Sequence, residues 1–364
     1  PFYLYELTLI ISRPKGSLSG SLVSEKYDLS RGDEMNISIG KLRGLQQLAN
    51  SKGIMTMGAI DHRGALKQAL NEKNPAAVSY QDIVDFKLDL CQAVAPFASA
   101  ILLDPEYGAG QAIAAGLLPA SKGLLVSMEK TGYTGDSTAR ITELLPGWSV
   151  KKAKRMGASA VKLLIYFRPD LKNVASKQLD LVARLADQCL EEDIAFLVEP
   201  VSYPVEEGGA SSKKFAEVKP GLVIETARQI TALPIDVLKA EFPADIKFEQ
   251  DEGKLLRLCQ ELNQASTLPW VLLSAGVDFG SFKKQVEIAC KAGASGFLAG
   301  RALWQEGAQI RSRKERMNFF QNTAAPRLKE LAEIADKHGK PWYSRLGTEN
   351  GKFAPLVEEW YRCY

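Results

Sequence analysis

The chain has 364 residues, enough for one large α/β domain or two ordinary ones with a sizeable core. Forty-six Lys and Arg nearly balance 43 Asp and Glu, and a net charge of +3 gives no electrostatic reason to expect nucleic acid or an anionic membrane as the main partner. Five scattered cysteines (Cys91, Cys189, Cys259, Cys290, Cys363) lack CxxC spacing, which argues against a zinc site or disulfide framework and points to a reducing cytoplasm; no apolar run approaches the roughly 20 residues of a membrane span.

In chain order, residues 1–34 read as an atypical N-terminal extension. The run PFYLYELTLIIS is followed, not preceded, by its charges Arg13 and Lys15, unlike a signal peptide, so a disordered arm or a misassigned start is expected. Met35 opens MNISIGKLRGLQQLANSKG, the expected first helix of a single domain over 35–364. From residue 54 short apolar runs alternate with helical patterns. The expected strands are 54–61, 100–105, 123–129, 160–167, 195–203, 236–242, 270–277 and 296–303. Between them lie segments such as SYQDIVDFKLDLCQAVAPFA, SKQLDLVARLADQCLEED and FKKQVEIACKAGA, with apolar residues at helical spacing; FRPDLKNVAS after the fourth strand reads as a loop. Eight βα units close most naturally into a (β/α)8 TIM barrel of roughly 250 residues or more. The alternative, an open doubly wound sheet, lacks a GxGxxG after its first strand. The tail from about residue 312 supplies the last outer helices, and VEEWYRCY is expected to pack on the barrel or on a second subunit.

In such a barrel the chemistry lies at the C-terminal ends of the strands. There the sequence places Asp61, His62 and Arg63 after strand one, Asp104 and Glu106 after strand two, and Glu129 and Lys130 after strand three. Lys162, Glu199 and Lys239 lie on strands four, five and six. Lys239 interrupts the apolar run VLKAEF. Desolvation there is expected to lower its pKa from about 10.4, and a neutral amine attacks carbonyls to form a Schiff base that permits C–C cleavage without a metal. The alternative for a lone strand lysine is a snorkelling or salt-bridged side chain. Lys162 adds like-charge repulsion if both point inward, Glu199 between them could move protons, and Asp61 either handles a substrate hydroxyl or caps the following helix. Asp104 and Glu106 are expected to tie the second loop. With His338 far from His62, no two-histidine metal site can be assembled, and no cofactor is called for. Ser274, Ala275 and Gly276, then Gly300 and Arg301, lie where the last two barrel loops commonly bind phosphate, favouring a phosphorylated substrate.

The motifs AIDHRGALKQ, ILLDPEYG, EKTGY, AVKLLIYF, IDVLKAEFP, LSAGV and GRALW, in this order over about residues 54–305, resemble the class I tagatose 1,6-bisphosphate aldolases. That resemblance implies reversible cleavage of a ketohexose 1,6-bisphosphate to dihydroxyacetone phosphate and glyceraldehyde 3-phosphate. Lys239 matches the Schiff-base lysine, Glu199 the proton-transferring acid, Lys162 and Asp61 supporting polar residues, and Ser274, Gly300 and Arg301 the phosphate end. Arg63 is the candidate for the second phosphate. The resemblance also implies self-association, so a homodimer is expected. Residues 1–34 have no counterpart in the family. Two other readings fit: the same lysine chemistry on sulfofructose phosphate or another ketose phosphate, and a sugar-phosphate sensor that binds without turnover.

Overall fold

The computed structural model describes residues 37–205, 208–348, 350–353, 356 and 358–362; the extension expected over residues 1–34 lies outside them. Eight parallel strands close into a barrel in sequence order: β1 Met55–Ala59, β2 Ala100–Leu103, β3 Gly123–Ser127, β4 Ala160–Tyr166, β5 Ala195–Val201, β6 Val237–Ala240, β7 Trp270–Leu273 and β8 Gly296–Ala299. The barrel shuts where Met55 pairs with Gly296. Gly296 has φ +136°, and a Cβ there would lie 2.0 Å from the Met55 carbonyl oxygen, so only glycine permits the closure.

Side chains alternate along each strand, and the two phases separate into two apolar layers. Met57, Leu102, Leu125, Leu197, Val271 and Leu298 fill the barrel interior. Ile101, Leu163, Phe196, Leu238, Leu272 and Phe297 face outward, under the helices. The principal outer helices are Tyr80–Val94, Lys172–Glu191, Lys213–Ile230, Glu252–Ala265, Phe279–Ala292 and Ala325–His338. Several helix starts, including those of Val150–Arg155 and Arg313–Phe319, are written locally. Ser79 and Asp82 form a capping box, and Ser149, Ser212, Asp251, Asp278 and Ser312 each accept a backbone N–H three residues on.

Helix Ile39–Leu48 lies across the N-terminal ends of the strands, where Leu45 and Leu48 join Trp342 in the interior cluster. Lys41 and Asp236 pair there at 3.0 Å. With the base sealed, the opposite mouth is the one left to admit a ligand.

All eight expected strands are present, but each was drawn past its observed C-terminal end, furthest at β7 and β8. The apolar residues that extended those runs, Val277 and Leu303, belong to a loop and to the short helix Arg301–Trp304. The segment FRPDLKNVAS is only partly loop, since the helix begins at Lys172 and Arg168 ties the turn by donating to the Tyr203 carbonyl at 3.0 Å. Of the tail VEEWYRCY, Trp360–Arg362 form a short helical turn with Tyr361 exposed.

Candidate active site

The interior phase of the strands carries the charged residues upward. Ala160 faces inward on β4 and Lys162 follows two residues later; Val237 leads in the same way to Lys239 on β6, Leu197 to Glu199 on β5 and Ala59 to Asp61 beyond β1. The two lysines therefore share one layer with the carboxylates. The Lys162 Nζ lies 2.8 Å from Asp61 Oδ2, 2.8 Å from Glu129 Oε1 and 2.7 Å from Glu199 Oε2. The other Glu199 oxygen lies 2.8 Å from the Lys239 Nζ. Glu199 thus bridges two ammonium groups, both at least 95 % removed from solvent at side-chain exposures of 1 % and 5 %. Asp61, Glu129, Lys162, Glu199 and Lys239 line a single cavity of ≈ 180 Å³.

Burial by itself would discharge Asp61, Glu199 and Lys162, and the opposite charges outweigh it. For Asp61, burial raises the carboxyl, but the neighbouring cations, Lys162 foremost and then Lys239, hold it below the usual carboxylate range. Glu199 is likewise pushed up by burial and, on balance, held below its ordinary value by Lys162 and Lys239. Burial pulls Lys162 down, yet Asp61, Glu129 and Glu199 raise it well above an ordinary lysine. Lys162 is a fixed cation. His62 behaves oppositely, since burial outweighs the attraction of Asp61 and lowers it to about 3, leaving a neutral imidazole. Its ring packs edge-on to Trp304, and Gly300 makes room for it, because a Cβ there would come 2.7 Å from His62 Cε1.

The ends of β7 and β8 form a second feature. Ala275 and Gly276 both take positive φ, +45° and +78°. For alanine that conformation is strained, and such strain clusters at ligand clamps. The Arg301 guanidinium packs directly on Gly276, whose Cβ, if present, would lie 2.4 Å from Arg301 Cζ. Ser274 Oγ accepts the Gly300 N–H at 3.2 Å, tying the two loops together. Arg301 Nε is buried without a hydrogen-bond partner, and no carboxylate pairs with this guanidinium among the described residues. A half-buried guanidinium with an unpartnered Nε beside a glycine turn is a site for an anion.

Residues 55–306 match the model of the DeoC/LacD family of aldolases. The chain belongs to that family. It is 37% identical over 286 residues to tagatose 1,6-diphosphate aldolase 1 of Enterococcus faecalis, a match covering 74% of this chain and 86% of that one. Identity to tagatose 1,6-diphosphate aldolase of Lactococcus lactis subsp. lactis is 31%, covering 84% of this chain and 98% of the relative. Among solved structures, a Schiff-base-forming fructose-1,6-bisphosphate aldolase superposes with a TM-score of 0.52 at 22% identity, over 81% of this chain and 99% of that one. The fructose-bisphosphate aldolase of Plasmodium falciparum gives 0.62 at 14%, over 83% and 95%. At those identities the structures establish the barrel fold.

In this aldolase, Asp61, Lys162, Glu199 and Lys239 come together as the strand phases required, and Ser274, Ala275, Gly276, Gly300 and Arg301 gather at the neighbouring rim. Arg63 departs from expectation. It lines the same cavity, but its terminal nitrogens are engaged, one by Glu106 Oε2 at 2.7 Å and the other by the Glu129 carbonyl at 2.7 Å. It ties the first three loops together, and one N–H of each terminal nitrogen is spent on these contacts. Glu129 stands at a strand end where the sequence alone assigns it no role. It holds Lys162 and also accepts the Leu164 N–H at 3.0 Å, and the inward phase of β3, from Leu125 through Ser127, could have found it. Lys87 gave no signal at all: on an outer helix and wholly buried, it donates to the Ile60 carbonyl at 2.6 Å and pairs with Asp104, fixing the backbone just before Asp61. Asp104 also accepts the Tyr107 N–H, as expected of a residue that ties the second loop. Three carboxylates, those of Asp61, Glu129 and Glu199, converge on the ammonium of Lys162.

Proposed function

We propose that this chain cleaves tagatose 1,6-bisphosphate or a related ketose bisphosphate through a Schiff base on Lys239, giving dihydroxyacetone phosphate and glyceraldehyde 3-phosphate. The observation that carries this reading is the Glu199 carboxylate set between Lys239 and Lys162 at the cavity floor. The nucleophile is the free amine, formed when Glu199, already in contact, takes one proton from Lys239. The amine adds to the C2 carbonyl, and Glu199 returns a proton to the carbinolamine oxygen, which leaves as water. The resulting iminium accepts the electron pair of the C3–C4 bond as the C4 hydroxyl gives its proton to the Glu199 carboxylate, so glyceraldehyde 3-phosphate departs and an enamine remains. Protonation at C3 and hydrolysis release dihydroxyacetone phosphate and restore the amine. Asp61, ionised throughout, orients a substrate hydroxyl, while Lys162 keeps Asp61 and Glu199 charged. The C1 phosphate is held by the loop Ser274, Ala275, Gly276 and by Gly300 and Arg301. The names of the curated relatives support a tagatose 1,6-bisphosphate substrate.

A homodimer and a cytoplasmic location belong to the same reading. Supporting the latter, the four described cysteines are free and buried, and no helix among the described residues is long and apolar enough to cross a membrane. Light scattering on the purified chain tests the dimer. Borohydride trapping with dihydroxyacetone phosphate in the presence of EDTA, followed by peptide mass analysis, tests the chemistry. A reduced adduct on Lys239 is expected; a folded protein that binds phosphate yet gives no adduct would be a sensor rather than an enzyme.

A further inference from the structure

A substrate with two phosphates needs a second anion site, and Arg63 already donates to Glu106 and to the Glu129 carbonyl. The segment after β3 supplies another cation. From Glu129 it folds back on itself as a hairpin, with antiparallel bridges Glu129–Leu144 and Thr134–Ile141. Gln178 pins the hairpin to the end of β4 by donating from Nε2 to the Arg140 carbonyl at 3.2 Å and the Tyr166 carbonyl at 3.0 Å, and Tyr166 N donates to Thr142 Oγ1 at 3.2 Å. The turn is held at both ends, since Glu129 at its start is fixed to Lys162.

This hairpin carries Arg140 onto three tyrosines. Its guanidinium carbon lies 4.8 Å from the ring centroid of Tyr133, 4.9 Å from that of Tyr203 and 5.7 Å from that of Tyr166. Tyr166 lines the catalytic cavity. Arg140 Nε donates to the Ser137 carbonyl at 3.0 Å, but among the described residues neither terminal nitrogen has a hydrogen bond and no carboxylate pairs with it. Aromatic faces hold a guanidinium in place without neutralising it or occupying its in-plane donors. Strand order sets the position: Arg140 packs on Tyr166 at the end of β4 and on Tyr203 just beyond β5, well round the barrel from β7 and β8.

We propose that Arg140 binds the second phosphate group of a bisphosphorylated ketose, so that the substrate spans the mouth from the Arg301 rim to the hairpin. Arg140 has this role only if the bisphosphate aldolase reading above holds, and the two separate experimentally. Wild-type protein is first trapped with dihydroxyacetone phosphate, which has no second phosphate; absence of a Lys239 adduct counts against the aldolase reading. Arg140→Met, which keeps the apolar stem on the tyrosines, is then compared with wild type on a ketohexose 1,6-bisphosphate, on the corresponding 1-phosphate and in the trapping reaction.

The expected result is a rise in KM for the bisphosphate of roughly ten- to hundredfold, the worth of a charge-assisted phosphate contact, with the 1-phosphate and the trapping rate unchanged. Unchanged kinetics on the bisphosphate, or an equal loss on both substrates, would overturn the assignment. Calorimetric binding of the bisphosphate reads the same contact even without turnover: a Kd unaffected by R140M counts against it. If R140M folds poorly, R140K, which keeps the charge but loses the planar fork, is held to the same criteria.

Discussion

Replacing Lys162 by Met, close in length and without charge, tests the electrostatic account of the site. Three carboxylates lose a cation at 2.7–2.8 Å, but unequally. Glu199 retains Lys239 at 2.8 Å, and Glu129 retains the Leu164 N–H at 3.0 Å and Arg63 at 3.7 Å. Asp61 is left facing His62 at 3.7 Å, a neutral ring, with no ion pair of its own and only the field of Lys239 to oppose its burial. Breaking a buried pair in this way costs about 3–5 kcal/mol, so a deficit of that order is expected by urea denaturation at pH 8. Its pH dependence is diagnostic. In the wild type, Asp61 sits below its unfolded value of 3.8, so its contribution to stability is fully present above that value and is lost only as pH falls through the lower folded value. In the variant, burial without Lys162 pushes Asp61 the other way, and the folded state then binds more protons than the unfolded one. The variant should therefore regain stability as pH falls from 8 toward 5, by at most about 1.4 kcal/mol per pH unit, while wild-type Asp61 contributes no slope there. Adding Asp61→Asn should remove most of the deficit at pH 8. A deficit that is constant from pH 8 to pH 5, or that widens on acidification, would refute the reasoning.

Lys239→Met should abolish borohydride trapping and cleavage while leaving a folded protein, because Glu199 keeps Lys162; the adduct must be absent from every peptide, including the one carrying Lys162. Gly276→Ala should raise the inhibition constant for inorganic phosphate and cost about 1 kcal/mol or more in urea denaturation, since its Cβ would meet Arg301 Cζ at 2.4 Å and φ is +78°; unchanged phosphate inhibition would separate this loop from the anion site. His62, lowered to about 3, should stay neutral across the working range, so its imidazole resonances should not titrate between pH 5 and 9, and an inflection near the ordinary 6.5 would contradict its burial against Trp304 and Gly300.

The barrel was legible because each strand is a short apolar run closed by Asp, Glu, Pro or Gly, and parallel strands buried on both faces have no other pattern to show. The inward lysines and Glu199 were legible for a related reason: a charge inside such a run keeps the phase of the apolar residue two positions before it. What the sequence hid depends on partners distant along the chain or on elements without a period of two. Lys87 lies on a helix face that reads as core, and its buried partner Asp104 comes from the second strand's loop. Arg63 could be seen at a strand end, but the two loops that claim it could not. Arg140 meets Tyr203 only because the hairpin after β3 folds over β5, and no local signal encodes that approach.

Two lysines share one layer and one carboxylate, so the choice of nucleophile has to come from their remaining surroundings. Lys162 is enclosed by three carboxylates, which raise it well above an ordinary lysine, and its 1 % side-chain exposure leaves no approach that does not displace one of them. Deprotonating it would leave Asp61, Glu129 and Glu199 without their common cation in a buried site, a cost of the same kind as removing the side chain. Among the described residues Lys239 pairs with Glu199 alone, so transfer of one proton to that carboxylate frees its amine and leaves no charge stranded. The same transfer places the proton on the group best placed to deliver it to the departing water. Lys162 stabilises the Glu199 carboxylate between proton transfers, and this division of labour requires one lysine to be permanently charged for the other to react.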